Sequence, residues 1–255
     1  MRKCASQIER KSFQMETKFK ELHTTLSGRD VTVLCPEKGT ENGRWALKTE
    51  YLTSFPAVQE ELLALGYHVA YIKNVSRWNP EEDTDARAAL AEYMHKEYGV
   101  SKKCVPIGMS CGGMQAIYFA SKYPQYVSCL YLDAPVINFL SCPTHVGKAE
   151  PFHFEEFQKA RGLSISDLIT YRNHPQDHIP NLIAHRIPVI LVCGDSDVAV
   201  PYEENGRILD EMYRKSGCVI ETIIKEGCGH HPHSLEDNTP IIRFIQKYDK
   251  DSHEE

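Results

Sequence analysis

Residues 104–124 read C-V-P-I-G-M-S-C-G-G-M-Q-A-I-Y-F-A-S-K-Y-P, and this stretch decides the fold. A short apolar run leads into G-M-S-C-G at 108–112, and a helix-like run then continues to Pro124. A serine between two glycines at a strand-to-helix turn is the pattern of a nucleophile elbow. The hydroxyl of Ser110 would stand at a helix N-terminus, which stabilises negative charge. A plain βα turn with two glycines for packing is the alternative interpretation.

The composition is that of a globular protein with a sizeable core. The chain has 255 residues, 42% hydrophobic and 25% charged, which suits one large α/β domain. A net charge of -6 without a basic run argues against a nucleic-acid partner. The apolar run at 187–193 is too short to span a bilayer, and no apolar h-region follows the N-terminal charges. An odd number of cysteines, nine, without C-x-x-C favours reduced thiols, so we expect a cytoplasmic protein without membrane attachment.

Strand-like and helix-like patterns alternate along most of the chain. This alternation predicts an α/β fold with a mostly parallel central sheet and helices on both faces. An opening hairpin is predicted over 11–35, with a turn at 27–29. Further strands are predicted at 67–72, at 105–109, at 127–132, at 188–193 and at 218–225, and helices at 57–65, 80–98, 111–123, 203–215 and 234–248.

Residues 137–186 interrupt the alternation. They contain no convincing strand, several prolines and glycines, and short helical pieces near 154–160 and 165–171. Long irregular stretches in compact domains are usually lids or binding loops. We therefore predict a single domain over 1–255, with a small cap insertion at 137–186.

Candidate partners of Ser110 follow two later strands. Asp195 and Asp197 stand in a turn after the strand at 188–193, and His230 stands in a glycine-rich loop after the strand at 218–225. The carboxyl ends of parallel strands meet at one edge of the sheet, where functional groups collect. A serine nucleophile needs a base, and the base needs an orienting carboxylate. The order Ser, Asp, His is that of one of the known catalytic triads.

On these motifs the chain resembles the α/β-hydrolase family. The matching segments are G-M-S-C-G, G-D-S-D-x-x-V-P at 194–201 and G-x-G-H at 227–230, and the resemblance extends from about residue 30 to residue 248. It implies Asp197 as the acid, His230 as the base and Asp195 as a turn-forming residue that binds backbone amides.

The resemblance also implies two backbone amides that bind the oxyanion. One is the amide of Cys111, whose thiol we place beneath the elbow. The other is expected from the loop after the strand at 31–35, at Lys38 or alternatively Glu37. The usual H-G dipeptide is absent from this loop, where C-P-E-K-G replaces it.

Aromatic and histidine residues near the predicted functional edge are candidates for a substrate pocket. They are Trp45, Trp78 and His231; anchoring of a loop is the alternative role of the tryptophans. Cys228, His230, His231 and His233 form a cluster that suggests a metal. No second ligand group at zinc spacing follows elsewhere, so we expect neither a metal nor a cofactor.

The sequence thus predicts a serine hydrolase acting on a small-molecule carboxylic ester. The segments D-A-P and G-H-H-P-H-S-L resemble those of bacterial α/β hydrolases found near carbohydrate-degrading enzymes, which favours an acyl group on a sugar. Those hydrolases commonly have arginine at the position of Cys111. An aminopeptidase or thioesterase with the same triad, or a non-catalytic hydrolase-like binding protein, are the alternatives.

Overall fold

An eight-stranded sheet forms the centre of the computed structural model, which describes residues 19–151 and 153–250. The strand order is β1-β2-β4-β3-β5-β6-β7-β8. The strands are β1 Lys20–Leu26, β2 Arg29–Cys35, β3 Trp45–Lys48, β4 His68–Ile72, β5 Val105–Met109, β6 Leu130–Asp133, β7 Val189–Gly194 and β8 Ile220–Lys225. β1 and β4 both run antiparallel to β2, and the pairs from β4 to β8 are parallel.

Within the described residues, eight α-helices lie on the two faces of the sheet and in the segment 137–186. They are α1 Ala57–Ala64, α2 Glu81–Tyr98, α3 Cys111–Lys122, α4 Phe154–Arg161, α5 Ile165–Thr170, α6 Ile179–Ala184, α7 Gly206–Ser216 and α8 Thr239–Tyr248. Strand side chains alternate between the faces, so each face has its own apolar cluster. Helices α2, α3, α6 and α7 pack on one face and α1 and α8 on the other, which confirms the predicted architecture.

The segment predicted as a cap divides into two parts. Phe157 of α4 and Leu168 of α5 are fully buried in a third apolar cluster, against Met114 of α3. Ile179 and Leu182 of α6 instead belong to the main cluster beneath α3 and α7. Helix α6, at the end of 137–186, therefore belongs to the helical layer that covers one face of the sheet, because its apolar side chains are buried in that layer's cluster.

One observed strand was not predicted, and one predicted strand lies mostly outside the described residues. The sequence pattern missed β3, which has only four residues, all of them buried. Most of the first hairpin arm, predicted from Ser12 to Phe19, lies outside the described residues, and the observed arm is β1. The described part of the chain contains no helix with the length and apolar composition of a membrane span.

Candidate active site

The turn between β5 and α3 has the geometry of a nucleophile elbow. Ser110 has φ 54 and ψ -121, a left-handed backbone that side chains rarely adopt. A Cβ on Gly108 would lie 2.7 Å from the carbonyl oxygen of Gly112, so the strand end and the helix start touch. A Cβ on Gly113 would lie 2.4 Å from the Cβ of Pro135. The second tight glycine is thus Gly113, one residue beyond the sequence motif.

Ser110, His230 and Asp197 are joined by hydrogen bonds. The Oγ of Ser110 lies 3.0 Å from Nε2 of His230, and Nδ1 of His230 donates to Oδ2 of Asp197 at 2.7 Å. The other carboxylate oxygen of Asp197 accepts from the amides of Ala199 at 2.9 Å and Val200 at 2.8 Å. Ser110 and Asp197 are 4% and 5% exposed, so the three groups interact away from bulk water.

Asp195 has the turn-forming role expected of it. Its Oδ1 accepts from the backbone amide of Gly227 at 2.8 Å, in the loop that carries His230. The amide of Ser196 donates to the carbonyl of Cys228 at 3.0 Å. A Cβ on Gly194 would lie 2.2 Å from that same carbonyl oxygen. The acid loop and the histidine loop are therefore locked together, and the contact requires glycine at 194.

A cavity of about 260 Å³ opens beside Ser110. Its walls are mainly aromatic, imidazole and apolar side chains, with Arg77 as the one cation among the described lining residues. The full lining is Tyr51, Ser54, Phe55, Arg77, Met109, Ser110, His230, His231 and His233. A small, partly open cavity of this kind beside a positioned hydroxyl can hold a short acyl group.

A second buried histidine–carboxylate pair, absent from the sequence predictions, lies beside the first. Nδ1 of His233 donates to Oδ1 of Asp133 at 2.8 Å, and Oδ2 accepts from the Ser234 amide at 2.7 Å and the Tyr131 hydroxyl at 2.9 Å. Burial alone would raise the pKa of Asp133, but the bond from His233 and the other donors lower it. Burial lowers the pKa of His233, so the pair is a carboxylate and a neutral imidazole. The sequence signal that could have identified this pair is Asp133, an acid at the carboxyl end of β6.

His231 lies in the cavity wall, as expected of a pocket residue. Its ring stacks on Phe55 with centroids 5.2 Å apart and meets the His230 ring at 4.8 Å. Burial, followed by the neighbouring histidines, lowers the pKa of His231 to about 4. Together with His233, these residues form a three-histidine group whose ligand atoms lie within 4.8 Å of one another. Three of the four residues whose sequence spacing suggests a metal therefore converge in space.

Lys38 is not near Ser110, which corrects the prediction of the second oxyanion amide. β2 runs antiparallel to β4, with Leu34 opposite Val69, so the loop after β2 lies at the amino edge of the parallel strands. Ser110 follows β5 at the carboxyl edge. Glu37, the alternative donor, is in the same loop and therefore also lies at the amino edge, away from Ser110.

The loop that does reach the elbow follows the missed strand β3. The amide of Thr49 donates to the carbonyl of Ile107 at 3.3 Å, and its hydroxyl donates to the carbonyl of Gly112 at 2.8 Å. Tyr51, two residues later, lines the cavity with Ser110. The backbone amide of Tyr51, whose acceptor among the described residues is Oε1 of Glu50 at a long 3.4 Å, therefore replaces Lys38 as the candidate partner of the Cys111 amide.

A buried amide network holds this loop in place. Oε2 of Glu50 accepts from Asn74 and from Gln115, each at 2.8 Å. Arg87, fully buried, donates to the side-chain oxygens of Asn74 at 2.6 Å, Gln115 at 2.5 Å and Asn79 at 2.7 Å. Several neutral amides thus disperse one buried cation, and the network connects α2 and α3 to the loop before Tyr51.

Cys111 begins α3 with its side chain fully buried, as predicted. Burial raises the pKa of its thiol to about 12, so the sulfur stays protonated at neutral pH. Only the backbone amide is therefore placed for chemistry at this position.

Neither tryptophan lines the cavity beside Ser110. Trp45 begins β3 at the amino edge, and its Nε1 donates to the carbonyl of Ser101 at 2.9 Å. Trp78 is fully buried and packs edge-to-face on Phe157, with ring centroids 5.3 Å apart. Both tryptophans therefore fit the alternative role of anchoring a loop and not that of a pocket residue, because each ring fills space between neighbouring elements.

Comparison with known protein families places the chain. The sequence profile of the prolyl oligopeptidase family, Peptidase_S9, matches residues 66–251. The chain belongs to this family. The match covers β4 onward, including the elbow, the acid turn and the histidine loop. No curated protein sequence matches the chain.

Solved structures share the fold of this prolyl oligopeptidase family member. Uncomplexed acylaminoacyl peptidase from Pyrococcus horikoshii matches with a TM-score of 0.71 and 15% identity, over 93% of this chain and 43% of that one. Dipeptidyl peptidase 4 from Porphyromonas gingivalis gives 0.64 and 13%, over 91% and 35%. Est1E from Butyrivibrio proteoclasticus gives 0.57 and 19%, over 82% and 90%. The chain thus has the α/β-hydrolase fold and spans less than half of the two peptidases.

Proposed function

We propose that this protein hydrolyses a carboxylic ester through Ser110, His230 and Asp197. One observation carries the proposal: the hydrogen bonds run unbroken from the serine hydroxyl to the buried carboxylate, at 3.0 Å and 2.7 Å. These distances are those of a nucleophile and base in contact before substrate arrives.

The chemistry follows from this arrangement. Nε2 of His230 takes the proton as the Oγ of Ser110 attacks the carbonyl, and it then returns the proton to the leaving alcohol. Asp197 holds Nδ1–H and stabilises the imidazolium. The amides of Cys111 and Tyr51 donate to the oxyanion, and water hydrolyses the acyl-enzyme by the same steps in reverse.

The cavity favours an ester over a peptide with a free amino terminus. An α-ammonium group needs a carboxylate partner, and the described residues lining the cavity include none. Asp197 and Asp133 are bound by His230 and His233. Glu50 and Glu156 line the adjoining cavity, where Glu50 accepts from the amide network and Glu156 from Nε of Arg77 at 2.9 Å. The esterase Est1E, similar over most of its own length, supports the same substrate class.

Two adjoining cavities suit the two halves of such an ester. The cavity beside Ser110 would hold a short acyl group. A larger one of about 640 Å³ shares Tyr51 and Arg77 with it. Its other lining residues are polar or charged at five positions and apolar at two: Glu50, Asn74, Ser76, Glu156 and Lys159, with Val75 and Ala160. Such walls fit a hydroxylated alcohol, and we propose an acylated carbohydrate as the substrate class.

Amide hydrolysis is the second candidate. The family assignment and the two peptidases among the similar structures favour it, and the same triad serves both bonds. An acylaminoacyl substrate has no free amino group, so the absence of a carboxylate in the described cavity wall does not oppose that variant of peptidase activity.

A matched substrate panel tests the proposal. The kcat/KM values of p-nitrophenyl acetate, butyrate and octanoate, of acetylated xylose and glucose, of free and N-acetylated aminoacyl p-nitroanilides, and of an acyl thioester would be compared. We expect the short esters to exceed every anilide and the thioester, and the octanoate to be a poor substrate. Activity confined to the anilides or to the thioester would contradict the ester proposal.

A mechanism test uses the same enzyme. A fluorophosphonate probe should label one residue, which peptide mapping should identify as Ser110. Ser110→Ala should lower kcat by about 10⁴-fold or more and change the melting temperature little, because the variant removes only the nucleophilic oxygen. Retained turnover, or a label on another residue, would disprove the assigned mechanism.

A further inference from the structure

The loop Gly229-His230-His231-Pro232-His233 brings three imidazole rings face to edge. The centroids of His230 and His231 lie 4.8 Å apart, those of His231 and His233 4.9 Å, and those of His230 and His233 5.0 Å. One ring nitrogen from each lies within 4.8 Å of the other two. A tetrahedral zinc site with Zn–N bonds of about 2.0–2.1 Å needs nitrogens about 3.3 Å apart. Small rotations of the rings would close that difference.

Two of the three rings are already oriented as metal ligands. Nδ1 of His230 donates to Asp197 at 2.7 Å, and Nδ1 of His233 donates to Asp133 at 2.8 Å. A carboxylate on Nδ1 fixes the tautomer that leaves a lone pair on Nε2, and metal-binding histidines commonly have such a partner. The tautomer that general-base catalysis requires of His230 is therefore the tautomer that binds a metal.

The third ring is available and is supported from one side. His231 makes no hydrogen bond to the described residues, and His233 makes none through Nε2. Phe55 stacks on His231 at 5.2 Å and meets the edge of His233 at 5.0 Å, so one aromatic ring positions both. His231 is exposed, which gives an ion access from the cavity.

We propose that His230, His231 and His233 bind one Zn²⁺ ion, and that this ion inhibits the enzyme. Imidazole nitrogens are favoured ligands of zinc, and three of them plus one exchangeable ligand complete a tetrahedral site. The fourth ligand is water or the Oγ of Ser110, which lies 3.0 Å from Nε2 of His230. The ion occupies the lone pair that accepts the serine proton, so the base is lost while the metal is bound. The inhibition rests on the proposed function, whereas the binding does not.

Metal binding is tested without a substrate. Metal-free protein would be titrated with ZnCl₂ by calorimetry and with CoCl₂ by visible absorption, in a buffer that does not bind metals. We expect one equivalent of Zn²⁺ and the intense visible bands of four-coordinate Co²⁺. His231→Gln and His233→Gln should each weaken Zn²⁺ binding by at least about tenfold, as the loss of a ligand or of its support does. Circular dichroism of both variants verifies that they fold.

The matched control is His185→Gln, which removes an exposed histidine on the far side of β7 and should leave the affinity unchanged. The proposal is overturned if the protein binds no Zn²⁺, if Co²⁺ gives only weak six-coordinate bands, or if folded His231→Gln binds as tightly as the parent. In the activity arm, Zn²⁺ should inhibit ester hydrolysis at the concentration that half-saturates the site, and EDTA should restore it. Saturation of the site without inhibition would overturn the inhibitory part. Tight binding by a metal-free protein that hydrolyses no ester would instead contradict only the proposed function.

Discussion

Lys48 is a buried cation whose removal should stabilise the protein. It ends β3 with 1% exposure, and its Nζ lies 3.2 Å from the Sδ of Met109 and 3.4 Å from the carbonyl oxygen of Ser54. A thioether is a weak acceptor, and no carboxylate among the described residues forms an ion pair with this ammonium group. Burial lowers the pKa of Lys48 from 10.5 to about 8, and the negative charge of Asp133 opposes the shift only in part.

The cost follows from linkage between protonation and folding. At about 1.4 kcal/mol for each pKa unit, the fall from 10.5 to about 8 destabilises the charged folded state by about 3 kcal/mol. Between these two pKa values the unfolded chain binds the proton and the folded chain does not. The contribution of Lys48 to the free energy of unfolding therefore rises with pH from about 8 to about 10.5, and the full cost is present below pH 8.

Lys48→Met keeps the length of the side chain and removes the charge. After subtracting about 1 kcal/mol for the lost contact with Ser54, we expect the free energy of unfolding at pH 7 to increase by about 2 kcal/mol. Urea denaturation of both proteins at pH 7 and at pH 10 measures the gain, which should largely disappear at the higher pH. The control is Lys96→Met, at a lysine whose side chain is 83% exposed, where neither pH should show a difference above about 0.5 kcal/mol. A loss of stability in Lys48→Met at pH 7, or a gain independent of pH, would refute the reasoning.

Four further substitutions test the elbow, the acid turn and the amide network. Gly113→Ala should lower the free energy of unfolding by about 2–3 kcal/mol, because the new Cβ would meet Pro135 at 2.4 Å; urea denaturation measures it, and an unchanged midpoint would contradict the close packing. Asp197→Asn should lower kcat by about 10⁴-fold with little change in folding. Asp195→Asn should cost about 1 kcal/mol of stability and less than about tenfold in kcat, so equal kinetic losses in the two variants would reverse their roles. Arg87→Met should destabilise by about 3 kcal/mol, because three buried amide oxygens lose their charged donor, and should lower kcat more than it raises KM; a change in KM alone would separate the network from the oxyanion loop.

The proximity of Ser110, Asp197 and His230 could be predicted because each follows a strand of a parallel sheet. Periodicity located β5, β7 and β8, and the carboxyl ends of parallel strands necessarily share one edge. Ser110, Asp197 and His230 then needed only local turn chemistry to be recognised. Residues 120 positions apart in sequence thus became neighbours by topology alone.

The second oxyanion amide could not be predicted in the same way. β3 has four residues, Trp45–Lys48, buried on both sides, so it shows neither alternation nor a long apolar run. Because β3 was missed, the second oxyanion amide was predicted in the loop after β2 and not in the loop after β3. Whether a strand such as β2 runs parallel or antiparallel to its neighbours depends on pairing across the sheet, which the pattern of one strand does not contain.

The buried pair of Asp133 and His233 could not be predicted from the sequence either. The two residues are 100 positions apart, and each had a plain local interpretation, as the last residue of a strand and as part of a glycine-rich loop. Only the packing of the histidine loop over the end of β6 makes them partners. The same packing converts three histidines that are close in sequence into three that converge in space.

The interlocked loops after β7 and β8 have a consequence for how this enzyme would lose activity. β8 is the outermost strand and pairs with β7 alone in the sheet, so this margin can open while the strands near β5 stay paired. Because the loop of Asp197 is bonded to the loop of His230, movement of the histidine loop with β8 would also disturb the acid turn, whereas Ser110 would keep its turn. Partial unfolding at β8 would therefore remove the hydrogen bonds of His230 to Asp197 and to Ser110 together. Ser110 would stay in its turn but would have no base. Fluorophosphonate labelling should then fade on gentle warming before the far-ultraviolet dichroism of the sheet changes.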